Sequence, residues 1–222
     1  MTTYRIAVIG GTGPQGKGLA YRWARHGHEV VVGSRASEKA VDVAEQIAQR
    51  VADEGGSPAV TGATNDEAAD GAEVVVLAVP YAGHDQLVAS LAERLVGKVV
   101  ISCVNPLGFD KTGPYGLDID GSAAESAATL VPGATVIGAF HHVSAVSLWS
   151  EVEYLDHEDV LVCGDSAEGK AVAQELARAV TSRIGVDAGA LRMARQLEPL
   201  TAVLISINKA YKVRSGIRIS GL

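Results

Sequence analysis

Residues 4–16 read Tyr4-Arg5-Ile6-Ala7-Val8-Ile9-Gly10-Gly11-Thr12-Gly13-Pro14-Gln15-Gly16, and their order decides the fold. A short apolar strand, Ile6 to Ile9, runs straight into Gly11-x-Gly13-x-x-Gly16, and a helical pattern follows to about His26. A pyrophosphate site needs that order. The first glycine makes the tight turn, the second lets backbone approach the phosphates, and the third lets the helix pack on the strand. Free N–H groups and the positive end of the new helix then hold the anion. A glycine-rich turn by chance gives the same letters. Their place between a strand and a helix favours a dinucleotide site.

The next strand selects the dinucleotide. After a helix end at Gly27, Glu29 to Val32 reads as a strand and leads into Gly33-Ser34-Arg35. An NAD site would show Asp or Glu about 20 residues beyond the glycines, bonded to the ribose. Here Arg35 offers a planar fork of donors suited to phosphate, Ser34 a hydroxyl, and Lys39 a further cation one helical turn on. The pattern predicts a clamp for the 2′-phosphate of NADP. Solvated charges at a helix start are the plainer alternative.

Strand-like and helical runs alternate from there to Phe140, which predicts βαβ units and a parallel sheet. Ser37 reads as the cap of a helix to about Val51. Asn65 starts a short helix, Val74 to Val79 is an apolar strand stopped by Pro80, and one helix is expected from Gly83 to Leu95. Lys98 to Ser102 is the next strand. Gly108 to Gly121 reads as a polar loop over the site, Ser122 to Leu130 as a helix, and Ala134 to Phe140 as a strand. Beyond His142 come a strand at 160–163, a helix capped by Ser166, and a long helical pattern from Ala190 to Tyr211 interrupted at Pro199. The expected architecture is a Rossmann doubly wound parallel sheet with a smaller C-terminal α/β domain. Residues 1–141 would form the nucleotide-binding domain and 142–222 the second. Ligands of such sheets lie outside the carboxyl ends of the strands. That places 11–16, 33–35, 79–83, 105–106 and 141–145 around the site.

Composition narrows the classes. With 47% hydrophobic residues in 222, the chain can bury a large core, and its net charge of −7 argues against a nucleic-acid surface. No secretory segment and no run of about 18 apolar residues is present, so a cytoplasmic protein without a membrane partner is expected. Cys103 and Cys163 lack metal or redox spacing and read as buried reduced thiols. No metal site is expected, since His141 and His142 are neighbours and would face opposite sides of an extended chain.

Proton-transfer machinery is sparse. None of the six tyrosines has Lys four residues on, so the Tyr-x-x-x-Lys pair of short-chain dehydrogenases is absent. His141 at a strand end and Lys209 on the last helix are the available acids. A nucleotide site without an evident acid suits a partner that is itself a hydride carrier, the protein supplying alignment.

The runs Arg5 to Leu19 and Gly27 to Arg35 closely resemble the coenzyme F420-dependent NADP reductases. The likeness continues through Ala78-Val79-Pro80, Ala139-Phe140-His141, Val162 to Asp165, Asp187 to Gly189 and Glu198-x-Leu200-Thr201, nearly the whole chain. It implies reversible hydride transfer between C5 of a reduced 8-hydroxy-5-deazaflavin and C4 of the NADP nicotinamide. Carried across, Thr12, Gly13, Pro14 and Gln15 would hold the pyrophosphate, with Gly11 and Gly16 shaping their loop. Ser34, Arg35 and Lys39 would hold the 2′-phosphate, and Val79, Gly83, Asn105 and Ala145 would line the ribose and nicotinamide. His141, Val143 and Thr201 would border the stacked rings, Val143 by packing. The resemblance also implies a homodimer whose C-terminal segments help build the deazaflavin pocket. Three positions depart from the family pattern: Gly83 for a bulkier polar residue, His142 for a smaller hydroxyl residue, and Pro199 for serine. The alternatives are an NADP-dependent dehydrogenase or imine reductase using Lys209 or His141 as acid, and a non-enzymatic NADP redox sensor.

Overall fold

The computed structural model describes residues 2–222. The chain runs β1 (Arg5–Ile9), α1 (Pro14–Arg25), β2 (Glu29–Ser34), α2 (Ser37–Asp53), β3 (Ala59–Thr64), α3 (Asn65–Asp70) and β4 (Val74–Leu77). It continues with α4 (His84–Ser90), α5 (Ala92–Leu95), β5 (Val99–Ser102), β6 (Leu107–Phe109), β7 (Pro114–Gly116), α6 (Ala123–Leu130) and β8 (Thr135–Ala139). The rest is α7 (Ala145–Leu148), β9 (Leu161–Gly164), α8 (Ala167–Thr181), β10 (Val186–Asp187), a 3₁₀ turn Leu191–Met193, and α9 (Ala194–Tyr211).

Eight strands form one sheet in the order β10-β9-β8-β5-β4-β1-β2-β3. The stretch β3-β2-β1-β4-β5-β8 is entirely parallel and has the 3-2-1-4-5-6 order of a Rossmann sheet. The inner strands β1, β4 and β5 are covered on both faces and apolar at nearly every position, whereas the edge strand β3 is partly exposed. Along β1, Ile6 and Val8 enter the layer built with Leu19 and Trp23 of α1, Ile47 of α2 and Leu176 of α8. Ala7 and Ile9 enter the opposite layer with Ala68 of α3, Val88 of α4, Ala124 of α6 and Leu197 of α9. The order in which successive strands are added reverses between β1 and β4, and the loops leaving these two parallel strands open the crevice described below.

Beyond residue 141 the sheet continues. β9 pairs antiparallel with β8, through Ile137↔Gly164, Gly138↔Cys163 and Ala139↔Val162, and β10 lies parallel to β9. Residues 161–187 therefore lengthen the same sheet across the expected boundary.

Several local expectations change. Helix α1 starts at Pro14, not Gly16, because proline is favoured where a helix N–H would be unpaired anyway. Ser37 is the first helical residue of α2, and Ala36, without a side-chain cap, precedes it. The single helix expected over 83–95 is two, divided at Leu91. The expected loop 108–121 contains the hairpin β6–β7, whose turn is held by Asp110 Oδ1 accepting from the N–H groups of Thr112 at 2.7 Å and Gly113 at 3.1 Å. Pro199 lies inside α9 without ending it and packs against Gly116.

Helix α2 sits on β3 at Gly62, where an added Cβ would fall onto the backbone of Ala40 and Val41. Backbone cannot yield as a side-chain tip can. Gly62→Val should cost about 1–3 kcal/mol of stability, the usual range for overpacking, measured by denaturant unfolding. An unchanged midpoint would contradict this packing.

Candidate active site

The carboxyl ends of β1, β2, β3 and β4 surround a cleft of about 850 Å³, lined by Gly10, Thr12, Gly13, Ser34, Arg35, Lys39, Asn65, Ala78–Pro80 and Ala82–Gly83 among others. A second cleft of about 440 Å³ is lined by Gly13, Pro14, Gln15, Ala78–Pro80, Cys103, Asn105, His141–Ala145, Thr201, Leu204, Ile205, Asn208 and Ser215. Gly13, Ala78, Val79 and Pro80 belong to both walls, so the two form one groove across the top of the sheet.

The glycine loop is built from backbone. The N–H of Gly11 donates to the carbonyls of Val8 (3.0 Å) and Gly33 (2.9 Å), and that of Gly13 to Gly10 (3.0 Å). A Cβ on Gly11 would meet Val8 O at 2.8 Å, and one on Gly16 would meet Gly11 Cα at the same distance. These two glycines line neither cleft; they shape the loop from beneath. Gly10 was not in the sequence motif, yet it turns the chain at φ 75°, and a Cβ there would strike Val79 Cγ1. Its N–H donates to Asn65 Oδ1 at 3.3 Å. Asn65 was equally missed. It lies at the carboxyl end of β3, where the strand-end rule applied to the other strands would have found it.

The far end of the large cleft is cationic. Arg35 and Lys39 are exposed, and neither forms an ion pair among the described residues. Ser34 is buried, its hydroxyl accepting weakly from Ala36 N–H at 3.4 Å.

The smaller cleft is organised by two successive carbonyls. Phe140 takes a left-handed φ of 63° at the end of β8, its ring edge-on to Trp23 at 5.6 Å. Its carbonyl accepts from Gln15 Nε2 at 3.1 Å. The His141 carbonyl accepts from Asn105 Nδ2 at 2.9 Å and Thr201 Oγ1 at 2.8 Å. Glu198, one turn before Thr201 on α9, ties this helix to the start of α6. The Glu198 carboxylate accepts from the N–H groups of Ala123 (2.9 Å) and Ala124 (3.0 Å), and burial raises its pKa to about 7.

Because the chain leaves the strand at Phe140, His141 and His142 both line this cleft, against the expectation that only one would. His142 Nε2 donates to Asp159 O at 2.8 Å. His142 Nδ1, Asn105 Oδ1 and both ring nitrogens of His141 are buried without a partner. Burial holds His141 down at about 3, so its ring is neutral at ordinary pH. Cys103 is pushed up to about 12 by burial and stays a thiol. Lys209 is exposed and lines neither cleft, which removes the second acid considered from sequence. No cluster of three metal-ligating side chains occurs among the described residues.

The buried His141 makes stability depend on pH. An unfolded histidine takes a proton below about 6.5, whereas the folded one does so only near 3, so this site loses stability as pH falls through that window. His141→Gln should remove up to about 2 kcal/mol of the loss between about pH 7 and pH 5. An unaltered pH dependence of unfolding would contradict a neutral buried ring.

The chain is similar to known proteins over nearly its whole length. Residues 5–106 match a family described as NADP oxidoreductase coenzyme F420-dependent. The chain is 39% identical to the F420-dependent NADP reductase of Methanothermobacter marburgensis, over 98% of this chain and 99% of that protein. It is 36% identical to the F420-dependent NADP reductase of Methanocaldococcus jannaschii, with the same coverage. A crystal structure from Arthrobacter sp. FB24, described as an F420-dependent NADP-reductase, is 29% identical, covers 98% of this chain and superposes with a TM-score of 0.80. A cationic cleft end, a glycine turn and an apolar chamber at the sheet's switch point are thus found in a sequence alike end to end with these reductases: the chain belongs to the family of coenzyme F420-dependent NADP oxidoreductases.

Proposed function

We propose that this chain transfers hydride reversibly between reduced coenzyme F420 and NADP, with NADP along the larger cleft and the deazaflavin in the smaller. The observation that carries the reading is the groove itself. Two clefts of different chemistry share the wall Gly13 and Ala78–Pro80, so the reactive rings of two carriers would meet there face to face.

Both carriers fit the residues present. On the NADP side, Arg35, Lys39 and the Ser34 hydroxyl hold the 2′-phosphate. Thr12, Gly13, Pro14 and Gln15 hold the pyrophosphate at the start of α1, and Gly11 and Gly16 keep that loop low enough to be reached. Val79, Gly83, Asn105 and Ala145 line the ribose and nicotinamide. The unpartnered Asn105 Oδ1 is an acceptor suited to a carboxamide or hydroxyl donor. Gly83, exposed at φ 83°, offers backbone alone. On the deazaflavin side, the unpartnered nitrogens of His141 and His142 await polar edges of a ligand in a largely apolar chamber. The bound coenzymes supply the chemistry, hydride moving between nicotinamide C4 and deazaflavin C5. His141 contributes a neutral flat ring, Val143 a buried packing surface, and Thr201 a hydroxyl that fixes the His141 carbonyl. This chain's own task is to align the rings and exclude water.

The reading extends to assembly and place. Residues 1–141 form the NADP-binding part, and 142–222 complete the deazaflavin pocket. Val203, Ile207 and Tyr211 form an exposed apolar stripe at helical spacing on α9, beside the smaller cleft, which suits the interface of a homodimer. A cytoplasmic protein accords with two buried free cysteines and with the finding that no helix among the described residues is long and apolar enough to cross a membrane.

The test mixes oxidised F420 with NADPH and a catalytic amount of protein, following loss of deazaflavin absorbance against an NADH control. Bleaching with NADPH and little with NADH is expected. Arg35→Asp should lose NADPH turnover on the order of 100-fold, the worth of a charge-assisted contact replaced by repulsion, and NADH turnover little. Intact NADPH binding without bleaching would overturn the reading. Equal losses with both nucleotides would remove the 2′-phosphate assignment.

A further inference from the structure

Arg22 lies on α1, two turns beyond the glycine loop, and its side chain is fully buried without a carboxylate partner among the described residues. All five of its N–H donors are satisfied by one short segment. Nε donates to Leu148 O at 2.8 Å. One terminal nitrogen donates to Val152 O at 2.7 Å and Glu153 O at 2.6 Å, the other to Ser147 O at 2.9 Å and Ser150 Oγ at 3.3 Å. Ser147 and Leu148 close α7, so the cation sits at the negative end of that short helix, where carbonyl dipoles replace a counter-ion. Ammonium has three donors and no plane, and it could not meet five acceptors in this fork.

Two other contacts share this face of α1. Gln15 holds Phe140 O at 3.1 Å, and a Cβ on Gly18 would meet Leu148 Cβ at 2.6 Å, so glycine alone lets α7 lie this close. Positions 15, 18 and 22 follow one helical stripe. The segment 140–153 is thus laid along α1 at its start, middle and end, and residues 141–145 between those anchors form the wall of the smaller cleft.

We propose that Arg22 is a positioning residue for hydride transfer: it fixes the wall 141–145 relative to the helix whose start holds the pyrophosphate, and so sets the spacing between the two rings. The proposal rests on the two-carrier reading above. Arg22 touches neither cleft, so its loss should leave nucleotide affinity nearly unchanged while the transfer step slows. A misplacement near 1 Å at the reacting centre costs on the order of 100-fold.

The test uses Arg22→Lys and Arg22→Met in the full chain. It reads NADPH affinity by titration, kcat with F420, and amide hydrogen exchange of residues 141–153 and 5–19. Affinity within about twofold, kcat lower by on the order of 10- to 100-fold, and faster exchange in 141–153 alone are expected of both variants, less severely for lysine. A folded variant with unchanged kcat overturns the proposal, whatever its exchange. So does a fall in affinity that matches the fall in kcat with faster exchange in 5–19, which marks general loosening. If wild-type protein fails to reduce F420, the two-carrier reading fails by itself, and unchanged exchange in 141–153 then still overturns the anchoring role.

Discussion

Two consecutive carbonyls, those of Phe140 and His141, hold the smaller cleft of the groove together. Gln15 from α1 reaches the first; Asn105 from the end of β5 and Thr201 from α9 reach the second. The left-handed turn at Phe140 makes this possible, because it swings the backbone out of β8 and presents both carbonyls to neighbouring elements. Such a backbone costs on the order of 1–3 kcal/mol unless its surroundings hold it. The Phe140 ring against Trp23, and Trp23 Nε1 donating to Leu176 O at 3.1 Å, are those surroundings. A core contact and a site contact are therefore the same device.

The groove divides its labour by chemistry. The end lined by Ser34, Arg35 and Lys39 is polar and cationic and is made from local backbone turns. The smaller cleft is apolar and holds two buried groups kept out of titration, a neutral His141 and a protonated Cys103, beside a Thr201 hydroxyl already committed to a carbonyl. An enzyme that must donate a proton tunes a group toward the working pH. Here burial moves these groups away from it. That is the environment expected where the reactive atoms belong to two bound carriers and the protein supplies distance and angle.

The sequence was most readable where function depends on local backbone. Gly11-x-Gly13-x-x-Gly16 specifies a turn at the end of β1 and Gly33-Ser34-Arg35 closes β2, and of the residues expected at the site all but Gly11 and Gly16 line one of the two clefts. Alternating apolar runs gave the parallel order. What escaped reading depends on distant partners. Arg22 looks like any arginine on an amphipathic helix, since nothing nearby announces that residues 147–153 will surround it. The antiparallel entry of β9 is set by pairing with β8 and not by its own composition. Pro199 inside α9 reads as a break, because the tertiary contact with Gly116 that accompanies it is remote in sequence. His141 and His142 share a cleft only because the strand ends one residue earlier, at a dihedral that letters do not display.

In the proposed reaction hydride passes directly between aligned rings, with no protein group carrying the hydrogen. NADPH carrying deuterium at the transferred C4 position, mixed with oxidised F420 and the protein in ordinary water, tests it most directly by mass spectrometry of the deazaflavin product. Direct transfer retains the label at C5 of the reduced deazaflavin. Label lost to solvent, with protium in the product, would contradict it.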